Sequence, residues 1–204
     1  MLLLRNPRSA ATAMSQSALE LKFLFHDADD AAVASTMQLY NSVFCPEPGS
    51  LYISLEEWKR RLSDPTSSII YLAPQPNDPP PLSGEDQPPI PPPVAFIFAY
   101  QRSHPEPLKD GTSKSLHIRL AGVLEEYRGR RCLDTMVNAL IDLERNRRGS
   151  ESSPMSTLPM TVCTNPSRFP SMWSWLRART QWVLEKEFED GKVMFSWTGW
   201  DHAQ

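Results

Sequence analysis

Along this chain the spacing of apolar and polar residues changes period repeatedly, and each change marks an element. Leu19-Glu20-Leu21-Lys22-Phe23-Leu24-Phe25 alternates, which predicts a strand over 19–25. Asp27 to Asp30 then offers helix caps, and Ala32, Val33, Met37, Tyr40, Val43 and Phe44 recur at helical spacing until Pro46, Pro48 and Gly49 stop the helix. Ser54 opens a second helix with Glu57 three residues on, the pattern of a capping box, and Asp64-Pro65 ends it. Short apolar runs over 68–73, 94–102 and 115–123 predict three strands. A helix over 128–147 turns Met136, Val137, Leu140, Ile141 and Leu143 inward, and 149–157 is a polar loop. A strand over 158–164 is followed by a helix over 167–177, with Pro170 in its first turn. Strands over 181–187 and 192–198 flank Asp190-Gly191, a hairpin signal. The interleaved order predicts an α/β fold with a mixed sheet.

Two segments do not fit this pattern. Residues 74–93 hold ten of the twenty prolines, and proline cannot donate to a sheet ladder, so a proline-rich loop insertion joining two strands is predicted. Pro88-Pro89-Ile90-Pro91-Pro92 has the spacing of an SH3- or WW-type docking peptide, although an insertion without a partner satisfies the same composition. Residues 1–18 are expected to be a disordered leader. Arg5, Arg8 and the lack of an acid before Glu20 also suit a mitochondrial presequence, which Pro7 interrupts. The folded domain is expected over 19–200.

Composition narrows the classes. With 40% hydrophobic residues the chain can bury a core, and a net charge of −3 gives no electrostatic case for nucleic acid or an anionic membrane as partner. No apolar run approaches the ~20 residues that span a bilayer. Cys45, Cys132 and Cys163 are far apart and odd in number, and the four histidines never fall at metal-ligand spacing, so no metal site is expected. Reduced thiols place the chain in the cytoplasm, or in the mitochondrial matrix if the leader targets it.

The segment with the most chemistry is Leu116-His117-Ile118-Arg119-Leu120-Ala121-Gly122-Val123, followed by Leu124-Glu125-Glu126-Tyr127-Arg128-Gly129-Arg130-Arg131-Cys132-Leu133. A strand gives way to a basic helix start, whose unpaired amides and dipole attract a pyrophosphate. Gly122 late in the strand suggests a bulge that would free strand amides for an extended ligand. His117 and Arg119 stand two apart and should share a face.

This segment resembles motif A of the GNAT acetyltransferases, in which Arg/Gln-x-x-Gly-x-Gly/Ala begins the helix that cradles acetyl-CoA. The resemblance in element order runs from about Leu19 to Gly199. It implies the GNAT (acyl-CoA N-acyltransferase) fold, a mixed central sheet with helices on both faces. It also implies an acetyl-CoA-dependent N-acetyltransferase working by direct transfer to an amine. Because the sequence shows no acidic groove for a lysine-rich tail, the amine is expected to be that of a small molecule rather than of a protein tail. The pantetheine would then lie along Leu120, Ala121, Gly122 and Val123, and the phosphates against Arg128, Gly129, Arg130, Arg131, Cys132 and Leu133. Arg131 and Leu133 stand where the motif has small residues. His117 resembles the strand histidines of the arylalkylamine branch, which implies a base, although a sheet histidine in an ordinary hydrogen bond satisfies the same position. Arg119 would bind an anionic group of the acceptor or pair with an acid.

Asn165 matches an asparagine that contacts the cofactor arm in the family; by itself it also suits a helix cap. The helix that carries a leaving-thiol tyrosine in many members has none here, and Trp175 holds the approximate position. The acceptor is expected to enter past Phe44, with Trp175 lining its groove and an aromatic or apolar amine favoured. The departures from the motif also leave open a GNAT-fold binding protein without turnover, or an adaptor acting through the proline-rich loop.

Overall fold

The computed structural model describes residues 18–44, 53–75, 91–149 and 158–197. Within them the chain runs β1 (Leu19–Leu24), α1 (Asp30–Phe44), α2 (Leu55–Leu62), β2 (Ser68–Pro74), β3 (Ala95–Ser103), β4 (Lys114–Val123), α3 (Cys132–Gly149), β5 (Met160–Thr164), α4 (Pro170–Arg177), β6 (Trp182–Glu187) and β7 (Val193–Trp197). A 3-10 turn at Glu125–Tyr127 links β4 to α3. Residues 1–17 of the expected leader, residues 76–90 of the proline-rich segment with the first three positions of its docking motif, Cys45 and Trp200 lie outside the described residues.

The seven strands form one sheet in the order β1-β2-β3-β4-β5-β7-β6. All neighbours are antiparallel except β4 and β5, which run parallel. β3 sits inside the sheet with helices on both faces, which is why it reads as an unbroken apolar run rather than an alternation. Ala95, Ile97 and Ala99 face α3 and α4, where they meet Met136, Leu140 and Leu176. Phe96 and Phe98 face α1 and α2, where they meet Tyr40 and Trp58.

Trp58 is fully buried, and its indole N–H donates to Thr36 Oγ1 at 3.2 Å. The Thr36 hydroxyl in turn donates to Val33 O at 2.8 Å. Ser54 caps α2 as expected, its Oγ accepting from Glu57 N at 3.3 Å. The Glu57 carboxylate, however, pairs with Arg60 and Arg61 instead of completing the box, and those two guanidiniums lower its pKa to about 2.

Two expectations around β4 are corrected. α3 starts at Cys132 rather than at Arg128, because Gly129 (φ 80°) and Arg131 (φ 59°) both adopt left-handed backbone that no right-handed helix contains. The bulge exists, but at Arg119: Phe98 pairs with Leu120 and Ala99 with Ile118, so Arg119 has no partner on β3. Gly122 pairs regularly with Phe96, and its missing side chain serves packing. A Cβ there would lie 2.6 Å from Phe96 Cε1 and 3.2 Å from Val43 Cγ1.

Candidate active site

β4 and β5 are joined only over Leu116–Ile118 and Met160–Val162. Past Ile118 they separate, and residues 119–123 have no partner on the β5 side. A cleft of about 580 Å³ occupies this opening, within the ~300–1,000 Å³ of small-molecule sites. Ala121, Gly122 and Val123 form its floor. One wall is the turn from Tyr127 through Arg128, Gly129 and Arg131 to Cys132, Leu133 and Asp134; the other is Arg168 to Met172 with Trp175 and Arg179. Val43 and Phe44, at the end of α1, complete it.

The turn that opens α3 carries the chemistry of an anion site. The amides of Gly129, Arg131, Leu133 and Asp134 have no hydrogen-bond partner among the described residues, and that of Cys132 meets only its own thiol. Arg131 O accepts from Thr135 N at 3.0 Å, so Arg131 is the last residue before the helix proper. Its left-handed backbone costs about 1–2 kcal/mol for a residue with a Cβ, and it turns consecutive N–H groups into a concave array at the positive end of the helix dipole. The glycine-like conformation thus survives although the residue is arginine. Arg130 points elsewhere, its guanidinium lying 4.8 Å from the Tyr127 ring centroid.

α4 is tied across the cleft at both ends. At its start the Phe169 ring meets Phe44 of α1 edge-on at 6.1 Å. Beyond its end Arg179 donates through Nε to Asp134 Oδ1 at 2.9 Å and also through Nη2. The same guanidinium donates to Trp175 O at 2.9 Å and stacks 4.1 Å from the Trp175 ring. These ties fix the width of the opening between α3 and α4.

Beside the cleft, under the connection between β3 and β4, lies a buried polar chain. Arg102 Nη1 donates to His117 Nε2 at 3.4 Å. A guanidinium only donates, so the ring proton sits on Nδ1, which donates to Thr161 Oγ1 at 3.0 Å. Thr161 and Ser115 hydroxyls are 2.7 Å apart, and Ser115 Oγ is 2.7 Å from His104 Nε2. Burial, then the charge of Arg102, then His104 and Arg119, push the His117 pKa down to about 3. The ring is a neutral, fully engaged member of the sheet packing, 5.6 Å from Tyr100.

Neither a family model nor a curated protein matches the sequence. Solved structures match through their fold. An aminoglycoside acetyltransferase from an uncultured soil metagenomic sample, in complex with sisomicin, has a TM-score of 0.54 at 10% identity, over 79% of this chain and 87% of that one. Arabidopsis thaliana NAA60 in complex with acetyl-CoA gives 0.54 at 10% identity, over 88% and 98%. Aminoglycoside N-acetyltransferase AAC(6')-Iy in complex with CoA gives 0.51 at 13% identity, over 78% and 84%. This is the GNAT fold.

On that GNAT fold the expected site residues divide. Ala121, Gly122, Val123, Arg128, Gly129, Arg131, Cys132, Leu133, Phe44 and Trp175 all line the one cleft. Leu120, Arg119, Arg130, Asn165 and His117 do not. Leu120 turns its side chain toward the α1–α2 core. Arg119 is exposed on the bulge, which breaks the alternation that would have kept it beside His117. Asn165 Oδ1 accepts from Ser167 N at 3.0 Å and Arg168 N at 3.1 Å, so it shapes the turn before α4 without capping the helix, whose N-cap position is Phe169. His117 was expected to be the base. A ring outside the cleft, engaged at both nitrogens and titrating near 3, takes up an amine proton poorly. Cys132 lines the cleft as a thiol, its pKa raised by burial and its Sγ directed to Tyr127 O at 3.6 Å.

Sequence reasoning missed Tyr127, Asp134, Phe169 and Arg179. Asp134 looks like an ordinary first-turn acid, and its pairing with Arg179 spans 45 residues, a separation that no local pattern encodes. The i, i+4 spacing of Trp175 and Arg179 was the only signal available.

Proposed function

We propose that this protein is an N-acyltransferase that uses acetyl-CoA and an amine of a small molecule. The observation that carries the reading is the set of four unpaired amides in the Gly129–Asp134 turn, whose residues line the same cleft as the unpaired end of β4. The residues present fit the co-substrate. The amide array, with Arg128 and Arg131, suits a pyrophosphate, and the β4 backbone at Ala121–Val123 suits the amides of a pantetheine arm. Bound there, acetyl-CoA supplies an activated acyl carbon.

The transfer forms a C–N bond to the amine and breaks the thioester C–S bond. The proton lost by the amine balances the one gained by the leaving thiolate. Among the described residues no imidazole and no unpaired carboxylate lines the cleft, so the chain's part is to orient the reactants and exclude water. The amine then reaches the cleft after giving its proton to solvent.

The same observation favours a second reading, acyl-CoA binding without turnover. Isothermal titration with acetyl-CoA, followed by thiol release over a panel of amines, separates the two. Binding with turnover supports the transferase, and binding without turnover supports the second reading. The absence of binding refutes both.

A further inference from the structure

The described residues that line the cleft include four arginines and a single carboxylate, which is already paired. We infer that the acceptor is a primary amine on an aromatic or branched apolar body carrying a carboxylate, and not a polycation. This rests on the acyl-transfer reading and narrows it.

α4 runs along the cleft and gives its ends different characters. The Arg179 end faces the amide turn, where the phosphates of the co-substrate would engage Arg128 and Arg131. The opposite end is apolar: Val43, Gly122 and Met172 surround the edge-to-face pair of Phe44 and Phe169. Phe169 is 38% exposed, so an aromatic face stands at the mouth of the cleft, where a second ring can stack on it. Over that ring, 5.5 Å from its centroid, lies the guanidinium of Arg168.

This end recognises one chemistry and repels another. A polyamine or an aminoglycoside brings several ammonium groups, and each needs a carboxylate. Asp134 is the only one lining the cleft among the described residues, and it is held by Arg179 at the far end. Arg168 would meet those extra cations directly. A carboxylate beside the reacting amine instead meets the planar fork of Arg168 in two-pronged geometry. The guanidinium also lowers the pKa of a nearby amine, favouring the neutral form that attacks.

The test is thiol release from acetyl-CoA by the full chain with phenylalanine, leucine, phenylethylamine, spermidine and kanamycin. Phenylalanine is expected to exceed spermidine and kanamycin in kcat/KM by at least about tenfold, the scale on which a mismatched charge or an unfilled apolar site discriminates. Arg168→Gln, a change at an exposed position, is expected to lower the phenylalanine-to-phenylethylamine ratio about fivefold through KM, as loss of one exposed charge contact would. Preference for spermidine or kanamycin overturns the inference, as does an Arg168→Gln variant with an unchanged ratio. Turnover of no amine, with acetyl-CoA still bound, overturns the acyl-transfer reading and this inference with it, a result distinct from a wrong rank order.

Discussion

Replacing His117 should flatten the acid sensitivity of the fold. In the native protein the ring is buried against Thr161, Arg102 and Tyr100 and titrates near 3, whereas in the unfolded chain it titrates at the ordinary value of 6.5. Below 6.5 the unfolded chain takes up a proton that the native protein refuses. The stability this ring contributes is therefore complete above pH 6.5 and drains away as pH falls toward 3. The difference of 3.5 (6.5 less 3) amounts to ~5 kcal/mol when complete, and ~2 kcal/mol of it is lost by pH 5. Urea unfolding followed by tryptophan fluorescence at pH 8 and pH 5 measures this directly. In His117→Asn, which keeps a polar partner for Thr161, the loss between the two pH values should be smaller than in the parent by ~2 kcal/mol. His104, whose pKa is also lowered by burial and by Arg102, remains in both proteins and cancels in the comparison. An equal loss in both would refute the account of His117 as a neutral packing group.

Three further substitutions test the cleft. Gly122→Ala places a Cβ against the Phe96 ring and Val43, so a loss of ~1–3 kcal/mol in chemical denaturation is expected, and an unchanged midpoint would mean the ring yields freely. Arg131→Gly removes the left-handed strain while weakening the anion site. Stability should hold or rise by up to ~1 kcal/mol while acetyl-CoA affinity falls in isothermal titration, and a large drop in stability would contradict the strain argument. Asp134→Asn releases Arg179 and the end of α4. It should destabilise the protein by ~1 kcal/mol and shrink the thermal shift given by acetyl-CoA, whereas a full shift would show that the tie does not set the cleft width.

How much of this was legible in the sequence follows from the range of the interactions involved. Every described strand and helix has a counterpart in the periodicity, although α3 starts four residues later than expected, because alternation and helical spacing are local consequences of burying one face. Ser54 and Pro170 stand at the helix starts where local capping rules put them. The order of those elements, with the basic turn after β4, was enough to anticipate the sheet and the position of the cleft.

What the tertiary structure alone decided is where side chains go once strands separate or bulge. The extra residue at Arg119 changes the face of everything beyond it, and no propensity marks it. The parallel pairing of β4 and β5 ends at Ile118, so the same strand that buries His117 opens four residues later, at Ala121, onto a cleft. Burial and the Arg102 charge made His117 a neutral packing group, while the backbone of Arg131 kept a conformation that its side chain disfavours. Phe44 with Phe169, and Asp134 with Arg179, meet only because α4 crosses the opening. A sequence records which residues can bury or carry charge; the fold sets which of them meet across a gap, because those contacts join positions tens of residues apart.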